Sequence, residues 1–198
     1  RTIHVAKLHS HLTRYQRQTV SYSVDAKILR PHTLLINNQK QMTPMPTALK
    51  TNPLYNDNKM KIGIIAMNCS HGSTITTAEN TWDMTWPETE EVVKMADQAG
   101  FEVLLPVARW KGYGGETNFN NRTFETFNWA AAVSAITDYS CVFSTAHVPL
   151  VHPVAAAKQC ATIDHISGGR FAFNVVCGWF KNEFEMFGAT WNEHEVRY

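Results

Sequence analysis

A parallel α/β fold is what this sequence predicts, and three observations predict it. Short apolar runs recur at Lys61–Asn68, Phe101–Val107, Cys141–Ala146 and Phe171–Val176. Segments with helical patterning and Gly-rich or polar loops separate them. The runs are almost continuously apolar rather than alternating, which is how strands buried on both faces read. Helical crossovers are what join parallel neighbours.

Each element has its own signal. Lys61–Asn68 (KIGIIAMN) is a buried strand, followed by a polar loop from Cys69 to Trp82. Pro87 then stands where a first helical turn tolerates proline, and Glu88, Glu90 and Glu91 suit the positive end of the helix dipole. Val92, Met95, Ala96 and Ala99 fall at i, i+3, i+4 and i+7 and predict the buried stripe, with Gly100 as the stop. Phe101–Val107 (FEVLLPV) is the second strand, and Arg109–Asn121 is a loop. Phe124–Ile136 is the second helix, its Ala130, Ala131 and Ala132 allowing close packing. Cys141–Ala146 is the third strand. Pro153–Ile166 is the third helix, ended by Gly168 and Gly169, and Phe171–Val176 is the fourth strand.

Two architectures fit this order: an open doubly wound sheet and a (β/α)8 barrel. The first strand-to-helix turn lacks the Gly-rich phosphate fingerprint of dinucleotide-binding sheets, which favours the barrel. A whole barrel takes roughly 250 residues. Residues 60–198 supply about half of that, so the expectation is the N-terminal half of a barrel, about four βα units, in a truncated chain.

Composition divides the chain at the same place. Over its 198 residues the net charge is +1, with 44% hydrophobic and 18% charged residues, which excludes collagen-like and highly charged disordered classes. That balance hides two unlike parts. Residues 1–59 hold nine Lys/Arg against two Asp/Glu, whereas residues 60–198 hold nine against fifteen. Every Gly, Phe, Trp and Cys lies after residue 60. Residues 1–59 are therefore expected to be an unstructured or non-native N-terminal extension. A targeting segment and a basic nucleic-acid arm are the alternatives, the latter without interleaved aromatics. No apolar run of about 18 residues predicts a membrane span. Cys69, Cys141, Cys160 and Cys177 show no paired spacing, so neither zinc nor a disulfide framework is expected, and the cysteines suit the cytoplasm.

In a barrel the chemistry sits on the loops after the strands. These are Asn68–His71, Ala108–Gly115, Thr145–Pro149 and Asn174–Glu183. Asn174 is out of place in an apolar strand and needs a partner, either a neighbouring loop or a ligand. Gly112–Gly115 reads as a flexible turn or a phosphate cradle. Trp110 and Tyr113 either stack on a flat ligand or pack the rim. A serine-hydrolase elbow is absent.

The stretch from Ala157 to Phe171, AKQCATIDHISGGRF, resembles the signature of bacterial-luciferase-like flavin-dependent monooxygenases. Asn174–Trp179, Glu183-Phe184 and Gly188 continue the pattern, and the likeness runs from about Met60 to Tyr198. Two branches look closest. Gly178–Phe184, Trp191, Glu193-His194 and Arg197-Tyr198 look like dimethyl sulfone monooxygenase, and Lys111–Thr117 looks like the pyrimidine ring-opening oxygenase. The resemblance implies a luciferase-like (β/α)8 barrel enzyme that uses reduced FMN and O2, with FMNH2 supplied by a separate NAD(P)H-dependent flavin reductase. It implies a small organosulfur substrate first, and a pyrimidine-type ring-opening substrate or a non-catalytic flavin binder as alternatives. The flavin contacts it implies are Ala108, Arg109, Asn174, Glu183, Arg197 and Tyr198, with Thr145 counted among them and His147 facing the substrate. Trp110, Phe143 and Trp179 are expected to exclude water. It implies no metal, nucleic acid or membrane partner, and a homo-oligomer for the full-length protein.

Overall fold

A computed structural model describes residues 52–197. Residues 1–51 and Tyr198, and with them most of the proposed extension and one predicted flavin contact, lie outside the described residues. The main elements are β1 (Gly63–Ile65), α1 (Trp86–Gln98), β2 (Val103–Leu105), α2 (Thr126–Ser134), β3 (Cys141–His147), α3 (Pro153–Ser167), β4 (Phe171–Val176), α4 (Lys181–Met186) and α5 (His194–Arg197).

The four strands form one sheet in the order β1-β2-β3-β4, and every pairing is parallel. This order decides between the two architectures. A doubly wound sheet reverses direction at a switch point, whereas a barrel adds each strand beside the last. The helices agree, for they share one face. Ile64, Leu104, Val142 and Phe171 form a row across the sheet by register. Leu104 and Val142 are fully buried there against Val93 and Ala96 of α1, Phe127, Ala130 and Val133 of α2, and Ala156 and Ile163 of α3. The opposite face carries Ile65, Leu105, Phe143, Thr145, His147, Asn174 and Val176, the side that a barrel encloses.

Local chemistry sets the helix ends. Thr85 caps α1 in a reciprocal box with Glu88, and Pro87 follows in the first turn. Glu125 caps α2 by accepting from the Phe127 and Asn128 amides. Gly168 ends α3 in the left-handed conformation, with φ of 63°. The buried face of α1 is one position off the expected stripe: Thr89, Val93, Ala96 and Asp97 are buried, and Met95 is exposed. An i, i+3, i+4 template fits two adjacent registers in a run such as Val92-Val93, and Asp97 decides between them. Its carboxylate accepts the amides of Asp138, Tyr139 and Ser140. β1 and β2 are shorter than their apolar runs because Ala66 turns out of the strand at φ of 68° and Pro106 interrupts the ladder.

Candidate functional site

The site lies at the C-terminal ends of β2, β3 and β4. Thr145 is its structural hub. Its hydroxyl donates to the Pro106 carbonyl at 2.7 Å and accepts from Asn174 Nδ2 at 3.1 Å, while its carbonyl accepts from Thr126 Oγ1 at 2.6 Å. Asn174 and Thr145 are register partners, which brings an amide and a hydroxyl side by side in an otherwise apolar surface. A second pin sits at the exit of β1. Asn68, fully buried, donates to the Val107 and Phe124 carbonyls and accepts the Val107 amide at 2.8 Å. It fixes the loop after β2, which carries Ala108 and Arg109.

Arg109 and Glu183 form a buried ion pair, Nη1 to Oε1 3.1 Å, between residues far apart in sequence. The same Oε1 accepts the Trp110 amide at 2.8 Å. The Arg109 guanidinium lies over the rings of Tyr113, Trp179 and Phe180 at 4.7, 5.0 and 5.4 Å, and Nη2 donates to the Tyr113 hydroxyl. Aromatic faces and a carboxylate together stabilise a cation removed from water. Glu183 Oε2 faces His147 Nδ1 at 3.4 Å, and neither atom has an aligned hydrogen bond. Burial lowers the pKa of His147; the Glu183 carboxylate opposes that shift and Arg109 reinforces it. Burial thus favours the neutral imidazole. Burial pushes the neighbouring Cys69 thiol up to about 12, so it is no thiolate nucleophile.

A cleft of about 430 Å³ opens beside this network, within the range of small-molecule sites. Ala108, Arg109, Thr145 and His147 line it, opposite Phe124–Phe127. The structure thus brings together Ala108, Arg109, Thr145, Asn174 and Glu183. Arg197 stands apart. It donates to the Gly178 carbonyl at 2.8 Å and stacks on Trp191 at 3.9 Å, bracing the loop that carries Trp179. In the Gly112–Gly115 turn, the Gly114 amide is taken by Asn118 Oδ1. The sequence offers no sign that Glu183 and Arg109 pair, or that Asn68 is a buried pin. An acid in the first turn of a short helix and an Asn beyond a strand end are ordinary until the topology places them.

Comparison with known proteins identifies the family. The luciferase-like monooxygenase family profile matches residues 60–198. Pyrimidine monooxygenase RutA of a Bradyrhizobium species is 33% identical over 129 residues, a stretch covering 65% of this chain and 36% of that relative. The chain thus spans about a third of the length of the curated relatives it matches. Among solved structures, EDTA monooxygenase from Chelativorans sp. BNC1 superposes with a TM-score of 0.59 at 15% identity, over 71% of this chain and 35% of that one. DmoA from Hyphomicrobium sulfonivorans superposes with a TM-score of 0.56 at 19% identity, over 70% and 33%. These structures share the fold, and the chain belongs to the luciferase-like monooxygenase family.

Proposed function

We propose that the chain supplies the first four strands of an FMN-dependent monooxygenase barrel whose flavin rests at the C-terminal ends of β2–β4. The observation that carries this reading is that Ala108, Arg109 and Thr145 line one cleft, with Asn174 bonded to Thr145 and Glu183 paired to Arg109 beside it. The residues suit the group. Ala108 and Phe127 offer an apolar wall, and the Asn174 side chain, held to Thr145 through one N–H, keeps its carbonyl oxygen and second N–H for a uracil-like ring edge. The Arg109–Glu183 pair shapes the floor, since its guanidinium is already engaged. Bound reduced FMN, delivered by a separate NAD(P)H-dependent reductase, would supply the electrons that activate O2. Around it the chain's own task is to exclude water, and Trp110, Phe143 and Trp179 are placed on the rim and inner face for that.

The substrate reading favours a pyrimidine-type cyclic amide, because curated relatives at 33–34% identity carry the name pyrimidine monooxygenase. This reverses the order in which the sequence ranks the two substrate classes. A small organosulfur substrate is the second reading, supported by the resemblance of Gly178–Phe184 to the sulfone branch. The test supplies the protein with FMN, a flavin reductase, NADH and ¹⁸O2. The expected results are quenching of FMN fluorescence on binding, at least tenfold weaker binding in Asn174→Ala, and ¹⁸O in a ring-opened product of uracil. Sulfinate release from dimethyl sulfone instead would establish the second substrate reading. No flavin binding would overturn the function.

A further inference from the structure

We infer that His147 presents a bare acceptor nitrogen, Nε2, to the cleft, and that it recognises the N–H of a cyclic imide. The argument starts behind the ring. Glu183 Oε1 accepts two donors, Arg109 Nη1 and the Trp110 amide, so Glu183 is an acceptor throughout. Its Oε2 and His147 Nδ1 are both buried, both without an aligned partner, and 3.4 Å apart. Two lone pairs facing each other at that distance would repel. A proton on Nδ1 satisfies both atoms with a small rotation of the ring. Only one side chain in the pair can bring that proton, and it is the histidine.

The ring's overall charge then fixes the other nitrogen. The charged groups that act on it are Glu183 and Arg109. Arg109 and Glu183 already cancel, so an imidazolium would leave an uncompensated positive charge in a site that is 96% withdrawn from solvent, His147 being 4% exposed. A neutral ring with its proton on Nδ1 has only a lone pair on Nε2. His147 lines the cleft and Glu183 faces its Nδ1, which leaves Nε2 as the nitrogen open to a ligand. A bare acceptor on a buried ring accepts an N–H or O–H, and it repels a ligand that carries acceptor oxygens alone. Glu183 is a positioning residue here, acting through the imidazole.

This deepens the proposed function and rests on it for the identity of the ligand, because two bound species offer that chemistry. One is the imide edge of FMN and the other a pyrimidine substrate. The experiment is ¹⁵N-histidine NMR on the intact chain, with and without FMN, N3-methyl-FMN, uracil and 3-methyluracil. We expect His147 as the Nδ1–H tautomer at pH 7 and a displaced Nε2 resonance with one N–H ligand but not its N-methyl analogue. FMN as the effective ligand assigns the flavin edge, and uracil assigns the substrate. Glu183→Gln should mix the tautomers. In His147→Ala, the tenfold or greater preference for the N–H over the N-methyl form should fall to about one. The tautomer measurement keeps the proposal testable should that variant not fold. An Nε2–H tautomer, a protonated ring at pH 7, or a resonance that no imide moves overturns the proposal. Unquenched FMN fluorescence with a uracil-dependent Nε2 shift would overturn the flavin reading and leave this proposal standing.

Discussion

Arg109 and Glu183 show how much one pair of residues can decide at this site. Their ion pair is buried on both sides, so each charge depends on the other for its solvation. Glu183→Gln keeps an oxygen for the Trp110 amide but leaves the guanidinium without a counter-charge. The expected loss of stability is about 3–5 kcal/mol, measured by urea unfolding. The aromatic rings around Arg109 moderate that loss, because Tyr113, Trp179 and Phe180 offer their faces to the cation. Replacing both partners by apolar residues of similar size, as in Arg109→Met with Glu183→Leu, should cost less than Glu183→Gln alone. If the double variant were the less stable one, the pair would be contributing net stability. The smaller cost would assign it to holding the Trp110 and Trp179 loops in one arrangement. That second role is the one the site needs, since Glu183 touches the amide of Trp110 and stands behind His147.

At the scale of elements, the most recognisable stretch of the sequence does not touch the site. Ser167, Gly168, Gly169 and Arg170 lie at the opposite end of the sheet, between α3 and β4. Arg170 is buried and its guanidinium donates to the carbonyls of Ser140 at 2.7 Å, Thr137 at 2.6 Å and Ser134 at 3.3 Å. It satisfies the carbonyls left open at the end of α2 and ties them to the start of β3. Arg170→Ala should therefore cost about 3 kcal/mol or more through several unpaired carbonyls, with Arg170→Lys recovering only part, again by urea unfolding. FMN binding by whatever fraction remains folded should be unchanged, because no atom of this cluster reaches the cleft. The sequence makes this motif conspicuous without stating its task. What sequence shows well is periodicity: four apolar runs and three helical stripes reappear as β1–β4 and α1–α3, and β4 keeps its predicted limits. What it hides is anything needing three dimensions. The α1 stripe is misplaced by one residue because Asp97 answers to amides some forty residues later. The short helix α4 carries Glu183, yet its six residues are too few for a periodic signal. Ala108 and Arg109 draw notice in the sequence because they follow a strand, and Asn174 because it is an amide in an apolar run; the Arg109–Glu183–His147 contact has no such signal.

For the whole molecule, the sequential parallel order makes the strands unequal. β3 is paired on both sides, to β2 and along six residues to β4, and six of its seven residues are buried. β1 is an edge of the described sheet, three residues long and paired only to β2, with Ile65 half exposed on the inner face. Local opening should follow that gradient, since an edge strand with few buried contacts detaches without breaking the rest. Native-state hydrogen exchange should then find the β3 amides from Val142 to Ala146 among the slowest in the chain, opening only with global unfolding. The β1 amides should exchange at least tenfold faster through a local event that leaves β3 closed. The placement of the site fits this order. Thr145, His147 and Asn174 stand on the β3–β4 pair, the longest ladder in the sheet, so the groups proposed to meet the flavin or substrate rest on its most persistent part. Equal protection of β1 and β3 would mean that the four strands open as one unit. The exit loop after β1, pinned by Asn68 to Val107 and Phe124, would then be as fixed as the His147 end of β3. Faster exchange confined to β1 would make that loop the part of the mouth free to yield when a ligand enters.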